Sequence, residues 1–134
     1  MNYWPGVITL IKSKAAITAL IGTSPSRIYP NVLPQGVSGD ALVYRTVSNV
    51  GNPNFDGASR MDFLMADFIA YSDTKSGAEN LVSVLRNNIE DESGTHSGVK
   101  IENVRYGDSG GDDWLDDIKK YTKQIEFQIS VTRT

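Results

Sequence analysis

The chain has 134 residues, 40% hydrophobic and 22% charged, which gives enough apolar material for one ordinary core and excludes a disordered chain. Thirteen basic residues against sixteen acidic ones leave a net charge of −3, and no basic run occurs, which argues against a surface built to grip nucleic acid. With no cysteine, disulfides and cysteine-zinc sites are excluded, in keeping with a reducing compartment.

The longest apolar runs are too short to span a bilayer. The apolar patch Val7 to Ile11 has neither a basic leader nor a small-residue cleavage site, so synthesis in the cytoplasm and no membrane partner are expected. No repeat is visible, and residues 1–134 read as a single domain.

Trp4 to Ile21 reads as helical. Pro5 suits a first helical turn, and Val7, Ile8 and Ile11 share one face. Lys12 to Lys14 interrupt that stripe, Ser13 is placed to cap a second short helix, and Gly22 suits its end. Thr23 to Gly39, with three prolines and two glycines, reads as a loop holding a short extended piece at Arg27–Tyr29. Leu42 to Ser48 reads as a strand and Asn49 to Ser59 as a loop or open turn. Arg60 to Tyr71 is a long strand apolar on both faces: Met61, Phe63, Met65, Ile69 and Tyr71 on one, Leu64, Ala66, Phe68 and Ala70 on the other. Such a strand is covered on both sides.

Thr74 to Glu90 is the clearest helix, with Thr74 as N-cap and Ala78, Leu81, Val82, Leu85 and Ile89 in one stripe. Asp91 to Gly98 reads as a polar loop, Val99 to Tyr106 as a strand, and Gly107 to Asp117 as an acidic, glycine-containing loop. Lys120 to Arg133 alternates cleanly: Tyr121, Ile125, Phe127, Ile129 and Val131 against Thr122, Gln124, Glu126, Gln128, Ser130 and Thr132. At ~3.3 Å per residue this strand spans about 43 Å, more than the roughly 36 Å diameter of a compact chain this long, so it crosses the domain, bends or protrudes. The predicted fold is α+β: a twisted antiparallel sheet of about four strands, one long helix packed on one face, and short N-terminal helices left to cover the other.

Little here announces chemistry. His96 sits among loop formers with no nucleophile and carboxylate to orient it. No phosphate-cradling glycine motif or His-Glu-x-x-His pattern occurs. Asp108, Asp112, Asp113, Asp116 and Asp117 could offer oxygens to a cation, but their spacing is not that of a calcium loop, and the simpler reading is a solvated acidic loop. No cofactor and no metal are expected. Trp114 and Leu115 stand out amid those aspartates, and two readings are open: they tuck back onto the sheet, or they anchor a partner as aromatic residues with a polar rim do.

The order of several short motifs carries more. An apolar helix ends Ala19-Leu20-Ile21-Gly22, followed by Arg27-Ile28-Tyr29-Pro30, Leu33-Pro34-Gln35-Gly36, the strand Leu42-Val43-Tyr44, and Phe55-Asp56-Gly57 before the long strand. The Ala78–Leu81–Leu85–Ile89 helix and a long alternating C-terminal strand complete the series. This arrangement resembles the tail-completion (tail-terminator, head-to-tail joining) proteins of long-tailed bacteriophages. Gly39-Asp40-Ala41 and the acidic Gly107–Asp117 stretch depart from it.

The resemblance implies a non-enzymatic virion structural protein, made in the host cytoplasm and sited at the head-proximal end of the tail. It implies a homo-oligomeric ring, typically a hexamer, that ends tail-tube polymerisation and meets the tail tube protein on one side and a neck or head-completion protein on the other. DNA passes through without specific binding. On that reading Phe55, Asp56, Met61, Phe63, Met65, Trp114 and Leu115 are candidate subunit or partner contacts, and Thr122, Gln124, Glu126 and Gln128 face the lumen. The alternatives are a neck or head-closure adaptor, or a small soluble ligand-binding or enzymatic α+β domain.

Overall fold

The computed structural model describes residues 2–23, 25–51 and 61–132. Helices α1 (Trp4–Lys12) and α2 (Ala15–Ile21) lead into strands β1 (Ile28–Pro30), β2 (Ala41–Gly51) and β3 (Met61–Ser72), then α3 (Lys75–Ile89), β4 (Gly94–His96), β5 (Val99–Leu115) and β6 (Lys120–Thr132). The strands form one six-stranded sheet in the order β1-β2-β3-β6-β5-β4, curled into a half-barrel.

This corrects the expected four-stranded antiparallel sheet with one long helix. The sheet is mixed, because β1 pairs parallel to β2, and all three helices are short. β4 adds a strand where a polar loop was expected. It pairs with β5 through a tight turn at Ser97 and Gly98, whose φ values of 48° and 78° suit a two-residue hairpin. The expected acidic loop is instead the second half of β5. Glycine and aspartate disfavour strands, but register shifts between Tyr106 and Asp108 and between Ser109 and Asp112 absorb the extra residues. At Gly110 a Cβ would lie 3.0 Å from Gln124 Cβ, so the close approach of β6 favours glycine there.

Helix limits follow the sequence closely. Thr74 caps α3, its Oγ1 accepting from the Gly77 N–H at 3.0 Å. Ser13, expected to cap α2, closes α1 instead, its hydroxyl donating to the Leu10 carbonyl at 2.6 Å. The helices α1 and α2 meet at 93°. Among the described residues no single helix is long and apolar enough to cross a membrane.

All three helices lie on one side of the sheet. The core joins Val7, Leu10, Ile11, Ile17 and Ile21 with Leu81, Leu85 and Ile89 of α3, over Leu64, Ala66, Phe68, Val104, Ile125, Phe127 and Ile129 of the sheet. A row of rings runs through it. Trp4 meets Phe68 at 5.7 Å, Phe68 meets Phe127 at 5.9 Å, and Phe127 meets Tyr106 at 6.5 Å, each near edge-to-face. Arg86 of α3 closes the row, its guanidinium 3.6 Å above the Tyr106 ring. The expectation that the N-terminal helices cover the second face is therefore not met. They pack beside α3, and no described helix lies over the opposite face.

Candidate assembly surface

The helix-free face is built by alternation along the two central strands. Met61, Phe63, Met65, Asp67, Ile69 and Tyr71 of β3 stand beside Thr132, Ser130, Gln128, Glu126, Gln124 and Thr122 of β6. The candidate contact residues Met61, Phe63 and Met65 and the candidate lumen residues Thr122, Gln124, Glu126 and Gln128 thus share one face on neighbouring strands. Phe63 and Met65 are half-buried, and β2 extends their apolar strip with Val50, which is 55% exposed. Phe55 and Asp56 lie outside the described residues.

A polar bridge divides this face. Asp67 is fully buried in the middle of β3. One of its oxygens accepts from Arg45 Nε of β2 at 2.8 Å, and Gln124 Nε2 of β6 lies 2.7 Å from each carboxylate oxygen. A buried carboxylate between Met65 and Ile69 is costly unless paired, and here both flanking strands pair it. Sequence reasoning missed this bridge. Its signal was present, because an aspartate within Leu-Met-Ala-Asp-Phe-Ile requires a partner. Tyr71, farther along β3, has its pKa raised by burial.

Beyond the core, β5 and β6 continue as a two-stranded arm whose tip is tied to the start of α3. Lys75 Nζ lies 3.3 Å from Asp112 Oδ2, and Lys120 Nζ donates to Asp73 Oδ1 at 2.6 Å. Asp112's own backbone N–H, with Lys75, holds its carboxyl below the usual carboxylate range. Trp114 is 41% exposed and packs against Tyr121 of the paired strand, ring centres 4.6 Å apart and planes tilted by 49°. Leu115 alternates to the other side of the arm and is half-buried. The pair is therefore not one continuous anchor. At the opposite end of β5, the Thr132 hydroxyl and then Lys100 hold the Glu102 carboxyl low, the hydroxyl donating at 2.6 Å. His96, read as a loop residue, lies in β4.

No family model and no curated protein matches the chain. Solved structures do. One is a chain from a structure described as the virion of a native gene transfer agent particle, at 13% identity and a TM-score of 0.70, with 95% of this chain and 92% of that one covered. The two chains share a fold. That likeness runs through the whole sheet-and-helix arrangement rather than one motif within it.

Proposed function

We propose that this chain is a structural protein of a phage-like virion, and that it acts as a tail terminator: a ring on the head-proximal end of the tail tube that ends polymerisation and receives the head. The observation that carries this reading is the near-complete fold match to a chain of a gene transfer agent virion, joined to the motif order from Ala19 through the C-terminal strand. The helix-free face supports it. A sheet whose second face is half apolar and half polar suits a subunit with both a protein neighbour and an aqueous channel. In the ring, Phe63 and Met65 lie toward a neighbouring subunit. The polar row Thr122, Gln124, Glu126 and Gln128 lines the passage, where few cationic groups leave DNA free to slide. The tail tube protein and a neck protein are the axial partners.

Deletion of the gene tests this in the particle that encodes it. The expected result is full heads, unjoined tails and tails of uncontrolled length, with the protein present at stoichiometric amounts in wild-type particles by mass spectrometry. Absence from purified particles would remove the structural reading. Joined particles with only a leaking head would move the protein to the head-closure side.

A further inference from the structure

The sheet has a stepped outline. β1 covers β2 only from Leu42 to Tyr44, near the start of β2, because Asn31 then turns away with φ at 63°. β4 covers β5 only from Val99 to Ile101, at the start of β5. β2 and β5 run in opposite directions, since each successive pair from β2 through β3 and β6 to β5 is antiparallel. The two short flanking strands therefore sit at opposite ends of the sheet, on opposite edges. Gly51, Asp62, Val131 and Ile101 mark one level, where the β2 edge is notched and the β5 edge projects through β4. Leu42, Ala70, Lys123 and Asp112 mark the other level, where the notch and the projection exchange edges.

The chemistry of the two notches differs. Beside β5 the open edge carries Asp108, Asp112 and Asp113 and two register shifts, and the projecting β1 carries Pro30. Charges, bulges and prolines are the usual guards of an edge strand. The β2 notch, Thr46 to Val50, has neither charge nor proline, and its one register shift lies between Thr46 and Ser48, at the exposed Val47. Its outer edge has no strand partner among the described residues, and Val47 and Val50 are 53% and 55% exposed. β4, Gly94-Thr95-His96, has no proline and pairs without a register shift. The notch also opens beside a groove of about 420 Å³ lined by Trp4, Asn31, Tyr44 and Thr46.

We propose that β4 of a second copy seats parallel in the β2 notch, so that the sheet continues from one subunit into the next. This rests on the ring reading and names its interface. The contact is head-to-tail, using unlike edges, and such contacts close into rings when the rotation per subunit allows. Two β5 edges would set aspartates against each other. Two β2 edges would bring Pro30, which lacks an N–H, into the notch. Continuity of the sheet places Thr95 of the second copy on the same face as Ser48 and Val50, covering the apolar strip at Phe63.

The chain has no cysteine, so single-site cross-linking is clean. Ser48→Cys and Thr95→Cys chains, mixed and treated with a short bis-maleimide, are expected to give a dimer in the mixture only, and the double variant a ladder ending at the ring size. Linkage of Ser48→Cys chains to one another, as strong as in the mixture, overturns the proposal in favour of a two-fold contact. Val47→Lys is expected to keep the circular dichroism and melting temperature of the parent while weakening self-association about tenfold or more. Rings that form and survive Val47→Lys, with no Ser48–Thr95 link, overturn this interface and leave the ring standing. No self-association, either free or in purified particles, overturns both.

Discussion

Asp67 is the residue on which the helix-free face turns. Its carboxylate is buried while Arg45 is about half exposed, so solvent weakens their attraction but does not replace it. Arg45→Ala leaves the carboxylate to Gln124 alone, and a loss of about 1–3 kcal/mol in urea unfolding is expected. A double-mutant cycle with Asp67→Ala should show coupling between the two, and additive single effects would mean the bridge contributes nothing as a pair. Two carboxylates of β5 give a second expectation. Asp112 and Glu102 are both held below the ordinary range. A carboxyl lowered in the folded state contributes stability above its unfolded pKa and loses it as pH falls through the folded value. Their contribution therefore begins to fade as pH falls into the usual carboxylate range, where the unfolded chain takes up protons, and is gone below the lowered folded values. Carboxyl-resolved NMR titration should show both midpoints low, with Lys75→Met raising that of Asp112 and Thr132→Val that of Glu102. Unmoved midpoints would dissociate the shifts from those partners.

Among the elements, the β4–β5 hairpin depends on a helix that passes over it without room to spare. A Cβ at Gly6 of α1 would meet Val99 Cβ at 2.5 Å and the His96 carbonyl at 2.8 Å. Backbone and a β-branched residue cannot yield cheaply, so Gly6→Ala should destabilise by about 1–3 kcal/mol despite alanine's better helix propensity. Hydrogen exchange is expected to quicken first at β4. A variant as stable as the parent would mean α1 can lift freely. Such contacts explain which elements were legible in sequence. α3 was, because a cap and a five-residue stripe are local signals, and so was β6, because its alternation is unbroken over most of its length. β4 was not. Its three residues have no pattern of their own, and only the Ser97-Gly98 turn marks it. The outer half of β5 was hidden because bulges and close-packed glycines let unfavourable residues stay paired.

For the molecule as a whole, the two-faced character of β3 was readable, while the mixed six-stranded sheet and the placement of the helices were not. Val7, Ile11, Ile17 and Leu81 each announce a buried face, but nothing local says that these faces share one side of a sheet. The Asp67 bridge and the uncharged notch became visible only once register had brought distant segments together. The two tryptophans turn this arrangement into a pair of optical reporters. Trp4 lies 4.4 Å from Tyr44, and its indole N–H donates to Thr46 at 2.8 Å, beside the notch. Trp114 stands at the far end of the arm, packed against Tyr121. A Trp114→Phe chain would emit from the notch alone and a Trp4→Phe chain from the arm alone. Addition of copies with both tryptophans replaced by phenylalanine should change the colour of the first and leave the second dark to the event, so that subunit joining and arm docking can be watched separately in one cuvette.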